Sequence, residues 1–133
     1  MNELLEKIRQ RGLLGEEPSR LAETLIAQGC SVDEAVLKAG GEAEEGILRF
    51  LAQEFHVPFV DLEQRPPSRE FLARFPARIL MTHGLVPLEE RDGAVLVACG
   101  KLFNSSGPDA LRLACGKEIR VALATSADIS RCL

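Results

Sequence analysis

The chain has 133 residues, 46% hydrophobic and 27% charged, with a net charge of −4 and neither Trp nor Tyr. This apolar content suffices for a core in one domain or two small lobes and is too high for a disordered chain; no apolar run approaches the ~20 residues that cross a bilayer. Residues 1–62 hold 12 acidic and 6 basic side chains and residues 63–133 hold 8 and 10, so neither half has the basic excess of a nucleic-acid binder. The acidic start Met1-Asn2-Glu3-Leu4-Leu5-Glu6 lacks the basic region of a signal peptide and points to the cytoplasm, without direct membrane insertion.

Four short helices are predicted before residue 57. Asn2 is the expected cap of the first, with Leu4, Leu5 and Ile8 on one face and Gly12 at its end. Ser19 is the expected cap of the second, with Leu21, Leu25 and Ile26 inward and Gly29 after it. Ser31 and Glu34 form a capping-box pattern for the third, whose apolar stripe is Val32, Ala35, Val36 and Ala39 before Gly40-Gly41. The fourth runs from about Ala43 to Phe55, with Ile47, Leu48, Leu51 and Phe55 at helical spacing. None is long enough to be stable alone, so they are expected to pack as a bundle.

Pro58 holds Val57 extended, and Val57-Pro58-Phe59-Val60-Asp61-Leu62 reads as a strand-like connector that joins the helices to the C-terminal half, with Phe59 buried. After Arg65-Pro66-Pro67-Ser68 come two helical pieces, one with Phe71, Leu72 and Phe75 and one from Pro76 through Ile79 and Leu80 to Gly84. Leu85 to Glu90 and Ala94 to Cys99 then read as a hairpin around Arg91-Asp92-Gly93. Pro108 starts a helix of about eight residues with Leu111, Ala114 and Cys115 buried, and Gly116 is its C-cap. Ile119, Val121 and Leu123 alternate as a half-buried strand, and Thr125 with Asp128 opens a terminal helix. The predicted class is α+β: a helical lobe (1–56), a connector (57–84) and a small mixed sheet of hairpin plus βαβ with flanking helices (85–133).

Little catalytic chemistry can be built from these residues. Ala98-Cys99-Gly100-Lys101 and Ala114-Cys115-Gly116-Lys117 lack the first glycine and the hydroxyl of a phosphate loop. Cys99 with His83 is the one thiol–base pair worth naming, and an apolar strand end gives Cys99 an ordinary core role. Glu16-Glu17, Glu44-Glu45 and Glu89-Glu90 read as solvated charges. Cys30, Cys99, Cys115 and Cys132 show no ligand spacing, so reduced thiols, no metal and no cofactor are expected.

Several segments, in order, resemble one family. Ile47-Leu48-Arg49-Phe50-Leu51-Ala52-Gln53 followed by His56-Val57-Pro58-Phe59-Val60-Asp61-Leu62 resembles the L-x-x-L-A-x-Q-x-G-V-P-F-V-D-L signature of the N-terminal domain of type II secretion and type IV pilus assembly ATPases, the GspE/MshE type. Asp92-Gly93-Ala94-Val95-Leu96-Val97-Ala98, Leu111 to Ile119 and Ala124 to Ile129 continue the likeness. The resemblance implies a non-catalytic docking domain that sits with an ATPase core, on the same chain or a separate one. It would bind the cytoplasmic part of an inner-membrane platform protein and reach the membrane only through that partner. The charge split makes the acidic lobe, with Glu16 and Glu17, the expected partner-binding face. An alternative is a nucleotide-sensing module for cyclic di-GMP. The motif positions that survive for that role are Gln28 and Gln53, while Ser31, Val32 and Asp33 stand where the nucleotide-binding members carry Arg-Leu-Gly.

Overall fold

A computed structural model describes residues 3–40 and 43–133. The four N-terminal helices are α1 (Glu3–Gln10), α2 (Glu16–Ala27), α3 (Val32–Gly40) and α4 (Glu44–Glu54). Two short helices come next, α5 (Arg69–Leu72) and α6 (Ala77–His83), then β1 (Val86–Arg91), β2 (Ala94–Cys99), α7 (Ser106–Cys115), β3 (Glu118–Leu123) and α8 (Ser126–Cys132). The three strands form one sheet in the order β1-β2-β3, antiparallel at β1–β2 and parallel at β2–β3. The fold is α+β, helices first and mixed sheet second. Asn2, the expected cap of α1, lies outside the described residues.

Local chemistry explains most boundaries. Asp92 and Gly93 both sit at positive φ, 55° and 79°, as a two-residue primed hairpin turn requires. Gly116 closes α7 in the left-handed region at φ 69°. β1 lies at the sheet edge, where Pro87 can forgo an N–H, and its register shifts between Pro87 and Glu89. Residues 57–62 form no full strand. A single parallel bridge joins Phe59 to Leu123, with Val60 N donating to Leu123 O at 2.9 Å and Leu123 N to Pro58 O at 2.8 Å.

The sheet is covered on both faces, which its alternation encodes. Val95, Val97, Cys99 and Leu123 join a large core that also takes in Leu5, Ile8, Val36, Ile47, Leu48 and Leu51 of the N-terminal helices. Ala98 and Ala122 face a smaller cluster with Val60, Leu62, Val86 and Ile129. The N-terminal helices thus share one core with the sheet, which α4 meets directly at β3.

Three expectations need correction. Ser19 is not a cap: α2 begins at Glu16 after Gly15, and Ser19 lies inside it with Oγ donating to Gly15 O at 2.7 Å. Pro18 falls in the first turn, where a missing N–H costs nothing, beside two acids that favour the helix dipole. This register turns Ala22 inward and leaves Leu21 49% exposed. Phe55 is the C-cap of α4 rather than part of its stripe, and is exposed. In α7 the inward positions are Gly107, Leu111 and Cys115, four apart, while Ala114 is exposed because the helix starts at Ser106, before Pro108.

Candidate functional site

Two surfaces stand out. The first is the outer face of α2. Glu16, Glu17 and Glu23 are exposed, and among the described residues none of them takes part in an ion pair. Half-exposed Leu21 lies one turn beyond Glu17, and exposed Arg20 sits one turn from all three acids. The neighbouring acids differ: Glu6 meets Arg9 at 3.4 Å, Glu45 meets Arg49 at 3.2 Å and Glu54 meets Lys7 at 2.6 Å. The hydrogen bond from Lys7, with its charge, lowers the Glu54 carboxyl below its ordinary range and raises the Lys7 ammonium. The N-terminal negative charge therefore remains unneutralised mainly on α2.

The second is the junction of the helices with the sheet, closed by three carboxylates. Asp33 is fully buried; it accepts from Ser31 Oγ at 2.7 Å and from Phe103 N, in the β2–α7 loop, at 3.0 Å. Glu34 reaches Lys101 at 3.3 Å. Glu44 accepts from both Ser126 N (3.2 Å) and Ser126 Oγ (2.8 Å), closing the start of α8 from 82 residues away. Phe55 and Phe103 meet edge to face at 5.1 Å between centroids. Every acceptor of these hydrogen bonds belongs to α3 or α4, and every donor except Ser31 belongs to the sheet half. A cleft of about 330 Å³ lies beside them, between α3 and α8.

The expected site residues are spread over the surface rather than gathered at one place. Gln28 is the C-cap of α2, its backbone N–H bonded to Thr24 O and Leu25 O, and Gln53 lies on α4; both are exposed and neither lines the cleft. Glu16 and Glu17 form the first turn of α2. Pro58 is exposed, and Phe59, expected buried, is half-buried, because its ring lies under the Arg49 guanidinium at 4.4 Å instead of inside the core. Glu44 and Glu89, expected as free solvated charges, are engaged, Glu89 with Arg65 at 3.6 Å.

Sequence reasoning missed Leu21, Asp33, Glu44 and Phe103. Reading Gly15-Glu16-Glu17-Pro18 as a helix start would have found Leu21. The other three act across 70 or more residues and leave no local signal.

Two of the four thiols are held away from the thiolate form. Burial pushes the Cys99 thiol up, against the weaker effect of its hydrogen bond to Lys101 O, and burial likewise raises Cys132. Cys99 and His83 do share a cavity, but it measures about 30 Å³, the room of one water. Among the described residues no group of three or more His, Cys, Asp or Glu could hold a metal, and no helix is long and apolar enough to cross a membrane.

A four-helix half carried on a hairpin–crossover sheet defines a small α+β module. Residues 55–133 match the MshEN domain, and the chain belongs to that family, the N-terminal domains of secretion and pilus-assembly ATPases. Among solved structures it is similar to MshE with cdg (TM-score 0.72, 17% identity, covering 98% of this chain and 96% of that one). It is also similar to the N-terminal domain of XpsE in two crystal forms. The first gives a TM-score of 0.69 at 22% identity and the second 0.61 at 24%, each covering 97% of this chain and 90% of that one. At these identities the likeness is one of fold, and it extends over α1–α4, which the family match leaves out. No curated protein sequence matches the chain significantly.

Proposed function

We propose that this chain is a non-catalytic docking module of a secretion or pilus-assembly motor, binding the cytoplasmic part of an inner-membrane platform protein through the outer face of α2. The observation that carries the reading is the exposed side of α2, where Glu16, Glu17 and Glu23 outnumber Arg20 and Leu21 is half-exposed one turn beyond Glu17. An exposed apolar side chain on a helix with an acidic excess fits a basic partner with a hydrophobic socket. Family membership and the fold of the XpsE N-terminal domain support a role beside an ATPase core. In this reading residues 1–56 dock, residues 57–84 connect, and residues 85–133 hold the docking lobe in place. The protein works in the cytoplasm, peripheral to the inner membrane through its partner.

Interferometry against the cytoplasmic domain of the cognate platform protein tests this. Glu16→Lys with Glu17→Lys should slow association more than it speeds dissociation, and should remove most of the salt dependence. Leu21→Ala should chiefly speed dissociation. Unchanged kinetics in both variants would place the interface elsewhere.

The alternative, a cyclic di-GMP sensor, draws on the likeness to MshE with cdg. The buried Asp33 carboxylate opposes it, since it stands at a motif position and already holds Phe103 N. A low-micromolar one-site isotherm with cyclic di-GMP would favour that alternative.

A further inference from the structure

The cleft between α3 and α8 has a chemistry of its own. Its floor is Leu37 and Ile129, at the C-terminal end of β2. Gly100 leaves this floor uncovered. A Cβ there would stand 3.7 Å from Ile129 Cδ1, an ordinary contact, and Gly100 is not among the positive-φ residues, so neither space nor backbone requires a glycine.

The walls carry two acids that are already engaged: Glu34 faces Lys101 at 3.3 Å, and both oxygens of Glu44 are held by Ser126. Lys38 lines the same cleft, is exposed, and has no carboxylate partner among the described residues. The charge left over is therefore the Lys38 ammonium, on a lining that also carries the Ser130 hydroxyl, the His83 imidazole and apolar Leu37 and Ile129.

We propose that this cleft binds a small organic monoanion, a carboxylate on a short aliphatic body. Lys38 pairs with the charge, and Leu37 and Ile129 hold the chain. A cavity of about 330 Å³ is at the small end of ligand sites and suits a chain of about six carbons. The charge balance sets the preference: with Glu34 answered by Lys101, which lines the same cleft, Glu44 remains to limit the site to one negative charge beside Lys38 and to disfavour a phosphate dianion. The bound chain would touch α3 on one side and α8 on the other, bracing the helices against the sheet half. This assignment is independent of the α2 docking face, which lies on a different helix.

Amide-resolved NMR titration of the whole chain with hexanoate is the test, with hexanamide and hexyl phosphate as controls. Hexanoate should give saturable shifts at Leu37, Lys38, Gly100 and Ile129 with a dissociation constant of about 1 mM, as expected for so few atoms. Hexanamide and hexyl phosphate should each bind at least ~5-fold more weakly, for want of charge and for excess of it. Lys38→Glu, at an exposed position that leaves the fold intact, should weaken hexanoate by a factor of about 10. Gly100→Leu should fill the cleft and abolish the shifts. Absence of saturable shifts, equal binding of hexanamide, tighter binding of hexyl phosphate, or undiminished affinity in Lys38→Glu would each overturn the proposal.

Discussion

Replacing Asp33 with alanine removes a buried carboxylate that accepts from Phe103 N at 3.0 Å and Ser31 Oγ at 2.7 Å. Hydrogen bonds to a charged group contribute about 1.5–3 kcal/mol each. Ser31 is only half-buried and can turn to water, so its share is small. The Phe103 amide loses its partner, for a total of about 3 kcal/mol. With a urea m-value of about 1.5 kcal/mol/M for a chain of this size, the midpoint should fall by about 2 M. Asp33→Asn keeps a carbonyl acceptor but loses the charge, and should fall by about half as much. Hydrogen exchange at Phe103 gives a second reading, since its protection should drop more than that of the β2 amides. A midpoint shift below about 0.5 M for the alanine variant would show that the contact contributes little and that packing alone holds the junction.

The same geometry sets three other outcomes. Phe59→Ala should cost about 1–3 kcal/mol, less than a fully buried Phe, because the ring is half-exposed under Arg49; a urea midpoint unchanged from wild type would deny the ring any role in the junction. Gly93→Ala should cost about 1–2 kcal/mol purely from the left-handed backbone, since nothing lies within 4 Å of its would-be Cβ, and a neutral thermal melt contradicts this. Cys99, its thiol raised by burial, should be alkylated by iodoacetamide only after unfolding, and labelling in the native state at the rate of a free thiol refutes the burial. Because the raised value belongs to the folded state, its contribution is full below the ordinary thiol value of 9.0 and is lost as pH rises through the folded value.

How much of this could be read from sequence depended on range. The Asp92-Gly93 turn and the β2 boundaries arise from residues within a few positions of one another, and the strand–helix–strand succession to β3 from a run of such local signals; the sheet order agrees with them. The α2 register misled, because Ser19 is an excellent cap by composition while Pro18 one residue earlier already belongs to the helix. Ala114 misled for the same reason: Pro108 looked like a first residue and is the third. At the candidate sites the local half was visible, in the acid pair of α2. The junction was not. Asp33 reads as an ordinary first-turn acid, and only the folded chain brings Phe103 to it.

Glu44 imposes an order of events. Thr125 supplies α8 with one cap from next door, accepting from Asp128 N at 3.3 Å. The carboxylate that closes the first turn comes from α4, 82 residues upstream, a distance at which loop closure is entropically demanding. The terminal helix can therefore complete its partners only after the helical half has settled against the sheet, and it loses them first when that half lifts away. Ile129 anchors the body of α8 to the sheet's smaller core, so it is the first turn of α8 whose fraying would report on whether the helical half is seated.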